Sequence, residues 1–221
     1  MTTIAVVGAG AGLGQAAARR FGHEGFSVAL VSRAQENVDR LAGELTREGI
    51  TARGYAADVR DRATLADVLG RAAADLGPVE VLQYSPVPRQ EFLRSVLDTT
   101  VDELAAATEF SILGVATAVA QVLPGMRERG RGTVLLVNGS SAVTPNGKVA
   151  GTSTAFAAES AYGAMLHDAL APEGVHVAQL VIPGAIGGGD PLYAPDALAD
   201  RLWTIHRGRG VYRTTVGEVI V

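Results

Sequence analysis

Apolar residues fall along the chain in two alternating rhythms. Short β-branched runs occur at Thr3–Val7, Ser27–Val31, Gly54–Ala57, Val79–Gln83, Thr133–Val137 and Val175–Ile182. Between them, apolar positions recur at helical spacing. Leu13–Phe21 is Ala-rich, Val38, Leu41 and Leu45 share one face, and so do Leu65, Val68, Leu69 and Ala72. This periodicity predicts helices there, over Val101–Met126 and Ala155–Leu170, and over Ala194–His206, with a last short strand at Val216–Val221. A small-residue loop is expected over Gly139–Thr152, and Gly77-Pro78 and Pro183-Gly184 read as breakers.

The strand runs are continuously apolar rather than alternating, so helices are expected to cover both faces of the sheet. Strand–helix alternation with short connections implies right-handed crossovers and parallel pairing. The expected fold is α/β: one doubly wound parallel sheet of about seven strands over residues 1–221, with no repeat or linker.

Composition narrows the function. Hydrophobic residues make up 48% of the 221 positions, enough for a sizeable core rather than a disordered chain. There is no Cys, and the four His are scattered, so no metal site is expected. A net charge of −4 without a basic cluster argues against nucleic acid as partner. Uninterrupted apolar stretches are shorter than the roughly 20 residues of a membrane span, so no membrane association is expected. The apolar N-terminus lacks a basic segment before it, and a soluble cytoplasmic protein is the expectation.

The chemistry starts at Gly8-Ala9-Gly10-Ala11-Gly12-Leu13-Gly14, between the first strand and the first helix. Glycines there allow a sharp turn and let a phosphate approach the backbone, while the helix start aims N–H groups at it. The spacing is Gly8-x-x-x-Gly12-x-Gly14 rather than GxGxxG. After a first strand this predicts a dinucleotide site. At the end of the second strand stand Ser32-Arg33, with Glu36 the nearest acid. A carboxylate there accepts from the ribose 2′-OH of NAD(H), whereas a guanidinium suits a 2′-phosphate. The pattern favours NADP(H) over NAD(H).

The chain resembles the short-chain dehydrogenase/reductase family over nearly its whole length. The glycine spacing is similar to that family's cofactor loop, although Val7 stands where a Thr is usual. Asp58-Val59 resembles its adenine-contacting pair, Ser140-Ser141 the place of its catalytic Ser, and Pro183-Gly184 its turn beside the nicotinamide. The resemblance implies a Rossmann-like fold, a small-molecule substrate, and a homodimer or homotetramer through the long helix and the helix of Phe156. Ala116, Ala118 and Ala120 in the first and Ala155, Ala157, Ala158 and Ala161 in the second suit close helix approach.

The active-site pattern departs from the family. Its Tyr-x-x-x-Lys pair aligns with Phe156-Ala-Ala-Glu-Ser160, and Lys148 is the sole Lys in the chain. Phe156 has no proton to transfer and Ser160 no charge. Neither is expected to be catalytic. Tyr84-Ser85-Pro86-Val87 replaces the family's Asn-Asn-Ala-Gly, and Ser111 replaces its helix Asn. Only Ser141 remains of the four-member set. Tyr84, at the end of the fourth strand, is expected to face the crevice as a substitute acid, and Glu159, at i+3 from Phe156, is a second candidate. Tyr162 is turned off that face by roughly 240°. The segment Gly187–Tyr193 reads as a short substrate lid, with Trp203, Ile205 and Tyr212 as possible lining. Three functions follow: an NADP(H)-dependent oxidoreductase acting on a carbonyl or activated double bond of a small apolar substrate, an NADP(H)-binding regulatory protein or pseudo-enzyme without turnover, or a non-redox isomerase or cyclase in the same cleft.

Overall fold

The computed structural model describes residues 2–217. Seven parallel strands form one sheet in the order β3-β2-β1-β4-β5-β6-β7. They are β1 Thr3–Val7, β2 Ser27–Ser32, β3 Ala52–Ala56, β4 Val79–Tyr84, β5 Gly132–Gly139, β6 Val175–Ile182 and β7 Arg213–Thr215. The helices are α1 Leu13–His23, α2 Gln35–Arg47, α3 Arg62–Leu76, α4 Val101–Thr108, α5 Gly114–Glu128, α6 Ala150–Leu170 and α7 Pro195–Gly208. The expected doubly wound parallel sheet is therefore present.

Side chains alternate across the sheet and build a core on each side. On one face Ala5, Val7, Leu82, Tyr84, Val134 and Leu136 pack under α3, α5 and α6. On the other, Ile4, Val6, Val28, Leu30 and Leu135 pack under α1, α2 and α7. Strands β1 and β6, each flanked by a strand on either side, are buried along their whole length, which is why their sequences read as continuous apolar runs.

Local chemistry sets the element ends. Asp61 caps α3 by accepting from the Thr64 N–H at 3.1 Å, and Thr100 with Glu103 forms a reciprocal capping box on α4.

Three boundaries differ from expectation. Strand β5 runs on to Gly139, and α6 starts at Ala150, shortening the predicted loop. The last strand is Arg213–Thr215, because its backbone pairs with Gln179–Val181 of β6; residues 218–221 of the predicted strand lie outside the described residues. The long helix of residues 101–128 contains a π-turn at Glu109–Leu113 and tolerates Pro124 in its interior.

That 28-residue run is long and apolar enough, by length and composition, to cross a membrane, a match that the count of uninterrupted apolar stretches does not register. Its apolar face, Val115, Ala118, Val119, Val122 and Met126, is buried in the core.

Candidate functional site

The strand order reverses between β1 and β4, and the loops after these strands open a crevice at the carboxyl edge of the sheet. Open α/β sheets bind ligands at such a switch point. One half of the crevice is lined by Gly8, Gly10, Ser32, Arg33, Asn37, Asp58, Val59 and Arg89. The other is lined by Gly12, Leu13, Gly14, Ser85, Asn138, Phe156, Ile182 and Gly184. Gly8, Gly10, Pro86 and Val87 belong to both. Most of the sequence-predicted cofactor residues thus meet in one groove; Pro183 is exposed beside it.

The glycine loop has the shape a phosphate needs. Gly8 takes φ +93°, and a Cβ on it would stand 2.4 Å from the Pro86 nitrogen. A Cβ on Gly10 or Gly12 would meet nothing within 4 Å, so the backbone there faces open space. Helix α1 begins at Leu13 with no side-chain cap and no acid in its first turn, leaving its first N–H groups free for an anion.

At the other end, the Ser32 hydroxyl is buried and has no hydrogen-bond partner among the described residues. Arg33 is exposed and makes no ion pair among them. A buried orphan hydroxyl beside an unpaired guanidinium fits a ribose 2′-phosphate. Asp58 is already engaged: its carboxylate accepts from Arg89 Nη2 at 2.6 Å and from the Arg60 N–H at 3.0 Å.

The expected substitute acid is not in the cleft. Tyr84 is 1% exposed, lines neither half of the crevice, and faces the α4–α5 helix. Its hydroxyl donates to the Phe110 carbonyl at 2.5 Å. The π-turn sends the Gly114 N–H to the Glu109 carbonyl instead, and Gly114 has no side chain to obstruct the phenol. Burial drives the Tyr84 hydroxyl well above its usual range, with the Glu159 and Asp58 carboxyls adding to the effect. A phenol so placed does not exchange protons with a ligand in the groove.

Ser141 lies on the helical turn of residues 140–142, half-buried, and does not line the crevice. Its carbonyl accepts from the Ser153 hydroxyl at 3.4 Å. Lys148 sits on the exposed loop before α6. Trp203 packs edge-on against Phe21 and Phe26, away from the cleft, because α7 covers the opposite face of the sheet. Tyr212 donates to the Ser160 carbonyl at 2.7 Å.

Phe156 does line the crevice, whereas Ser160 is buried beneath it. The Ser160 hydroxyl donates to Gln179 Oε1 at 2.8 Å and accepts from Arg213 Nη2 at 2.7 Å. The cation nearest this position is therefore Arg213, supplied by β7. Sequence inspection missed it because the pairing depends on β7 lying beside β6.

A consequence is that Ser160→Lys does not rebuild the family's site. It sets an ammonium at the buried Ser160 position against the guanidinium of Arg213, which reaches in from the exposed start of β7. An uncompensated buried charge costs about 3–5 kcal/mol. Thermal melts are expected to show a marked loss of stability in Ser160→Lys, partly recovered in the Ser160→Lys/Arg213→Ala double variant.

Glu159 is 1% exposed. Its carboxyl contacts the Ser111 hydroxyl, and Oε1 accepts from Asn138 Nδ2 at 3.1 Å. Burial pushes it up to about 7, although the bonds from Ser111 and Asn138 pull the other way.

His176 shows the opposite effect. Burial lowers its ring to about 4, with His167, Arg209 and His206 nearby, and its Nε2 has no partner among the described residues.

These two shifts oppose one another in stability. Glu159 binds a proton in the folded but not the unfolded chain between pH 4.5 and about 7, so its contribution is lost as pH rises through that window. His176 releases its proton on folding between about 4 and 6.5, so its contribution grows as pH rises. Removing one exposes the other. Glu159→Gln is expected to gain stability relative to wild type by about 3 kcal/mol on going from pH 4.5 to 7, the size of the linkage it removes. Urea unfolding at the two pH values measures this; parallel pH profiles for the two proteins would refute it.

The groove and fold define a nucleotide-binding α/β protein. A family model for short chain dehydrogenase matches residues 2–189, and the chain belongs to that family. It is 29% identical over 154 residues to a 2,3-dihydro-2,3-dihydroxybenzoate dehydrogenase of Bacillus subtilis (strain 168), covering 69% of this chain and 58% of that protein. The chain spans about half the length of the curated relatives it matches first.

Among solved structures, L-sorbose reductase from Gluconobacter frateurii, complexed with NADPH and L-sorbose, superposes with a TM-score of 0.86 at 19% identity, covering 100% of this chain and 97% of that one. A short chain oxidoreductase from Pseudomonas aeruginosa PAO1 containing an atypical catalytic center also superposes at 0.86, with 17% identity and the same coverage. At these identities the superpositions show the fold alone.

Proposed function

We propose that the protein is an NADP(H)-dependent oxidoreductase that reduces a carbonyl or an activated double bond of a small uncharged apolar substrate. The observation that carries this reading is the continuous groove from Ser32 and Arg33, past the glycine loop, to Phe156, Ile182 and Gly184. The amides at Gly10–Gly14 would hold the pyrophosphate, and Arg33 with Ser32 the 2′-phosphate. The oxidoreductases among its relatives support the class, and the neighbour holding NADPH supports the cofactor.

When bound, the cofactor would supply the hydride chemistry, held by Ser32, Arg33 and the glycine loop. The protein's part is positioning and exclusion of water. Pro86, Val87, Pro88, Val137, Phe156 and Ile186 make the reacting end of the groove apolar, and no charged residue lines it among the described residues. That lining favours an uncharged substrate. Phe156 offers no proton, so the proton that joins the product oxygen comes from water in the cleft. Hydride transfer is the cofactor's own chemistry and does not require the missing tyrosine.

Phe156 favours a second reading, an NADP(H)-binding protein without turnover. One experiment separates the two. Calorimetry with NADPH and NADH, followed by NADPH oxidation with a panel of uncharged ketones and enones, is expected to show NADPH binding and slow turnover. Binding without turnover across the panel selects the second reading. Binding of neither cofactor removes both. The same family resemblance proposes a homo-oligomer through the exposed face of α6, where Ala157, Ala158, Ala161 and Met165 stand in solvent, and sedimentation measures it.

A further inference from the structure

Two polar residues, Ser85 and Asn138, are among those lining the reacting end of the groove, Asn138 with only 4% of its surface exposed. The Ser85 hydroxyl accepts from Gln83 Nε2 at 2.9 Å, and its own O–H is free to rotate. Asn138 is different, because its amide is locked in one orientation by a chain of bonds that crosses four elements. Arg213 Nε of β7 donates to Gln179 Oε1 at 2.9 Å. Gln179 Nε2 of β6 donates to Asn138 Oδ1 at 2.8 Å. Asn138 Nδ2 of β5 donates to Glu159 Oε1 of α6 at 3.1 Å.

The direction of this chain is forced at both ends. A guanidinium only donates, and an ionised carboxylate only accepts. Turning over either amide would face donor to donor and acceptor to acceptor. The order survives protonation of Glu159: the proton then sits toward Ser111, and Oε1 still accepts. The amide bonds all run the same way between a cation and a carboxyl, so each polarises the next. Asn138 Nδ2 has two hydrogens. One is held by Glu159; the other has no partner among the described residues.

We propose that this second Asn138 N–H is the hydrogen bond that receives the substrate's carbonyl oxygen, in a cleft where Phe156 has displaced the usual hydroxyl donor. The inference rests on the oxidoreductase reading above. As hydride reaches the carbonyl carbon, its π electrons move to oxygen. Asn138 stabilises the growing negative charge there, and a water of the cleft gives that oxygen its proton, leaving hydroxide for the solvent to neutralise. Asn138 touches the substrate and is the catalytic residue. Glu159, Gln179 and Arg213 are positioning residues that act through it. Charged or titratable groups near the chain are Tyr84 from β4, Tyr212 beside β7, and Arg213 itself.

The probe is acetophenone, a small uncharged ketone, labelled with ¹³C at the carbonyl and added to the NADP⁺-loaded wild type. Isotope-edited infrared spectroscopy is expected to show the carbonyl band shifted to lower frequency than in a protein-free apolar solvent. In Asn138→Ala the shift is expected to vanish and probe affinity to fall about 10-fold, with NADPH affinity within 2-fold of wild type. Turnover of the ketone, where measured, is expected to lose about 100-fold in kcat with a smaller change in KM. In Glu159→Gln, Gln179 Nε2 still holds Asn138 Oδ1 and the new amide oxygen still accepts from Asn138 Nδ2, so a single shifted carbonyl band is expected to remain. The wild-type spectrum needs no variant to fold. An unshifted wild-type band, no probe binding by an NADPH-binding wild type, or an Asn138→Ala spectrum and affinity equal to wild type each overturns the assignment while leaving the oxidoreductase reading in place. Failure of wild type to bind NADPH overturns both.

Discussion

Arg33→Ala is expected to lower NADPH affinity by about 10- to 100-fold while leaving NADH affinity nearly unchanged. The magnitude is that of hydrogen bonds to a charged group, about 1.5–3 kcal/mol. The cause is local. Arg33 follows β2 at the mouth of the groove, is exposed, and has no carboxylate partner among the described residues, so its charge is available to a ligand. The neighbouring Ser32 hydroxyl, buried and unpartnered among the described residues, would give a phosphate oxygen a second donor. Screening makes the difference between the two cofactors shrink as salt rises. Calorimetry with both cofactors at two ionic strengths measures it. Equal losses for NADPH and NADH would show that Arg33 does not contact a 2′-phosphate.

Gly8→Ala and Gly10→Ala are expected to fail in different ways. At Gly8 a methyl group would stand 2.4–2.6 Å from backbone atoms of Ser85 and Pro86, and φ is +93°. A left-handed backbone for a residue with a side chain costs about 1–3 kcal/mol before the clash is counted. The clash cannot relax cheaply, because the Ser85 N–H is bonded to the Val7 carbonyl at 2.9 Å, which ties the end of β4 to β1. Pro86 and Val87 line both halves of the groove, so any shift there deforms the whole site. Gly8→Ala should therefore lose both thermal stability, on the order of 10 °C for several kcal/mol in a chain of this size, and NADPH binding. Gly10 has no neighbour within 4 Å of its added methyl. Its variant should melt within a degree or two of wild type yet bind NADPH about 10-fold or more weakly, because the methyl occupies the space a phosphate would enter. A Gly10→Ala protein with normal affinity would remove the pyrophosphate from this loop.

The amide chain from Arg213 to Glu159 also explains why simple restoration of the family pair is not expected to work. Ser160 stands in a polar network that has its own cation and its own carboxyl.

Much of this was legible in the residues alone. Continuous apolar runs, helical stripes and breakers determine a parallel sheet covered on both faces, because side-chain period and burial are local properties of the chain. The glycine loop, Arg33, Asp58 and Phe156 were also visible, since each rests on a residue type at a definite place after a strand. Tertiary structure decided the rest. It turned Tyr84 away from the crevice, because the π-turn left the Phe110 carbonyl open to its hydroxyl. It joined Ser111, Asn138, Glu159 and Gln179, all buried, to the exposed Arg213 in one network, across 102 positions between Ser111 and Arg213. No periodicity could reveal that network. Its members come from separate strands and helices, and their bonds exist only once β7 pairs with β6 and α6 lies across the sheet.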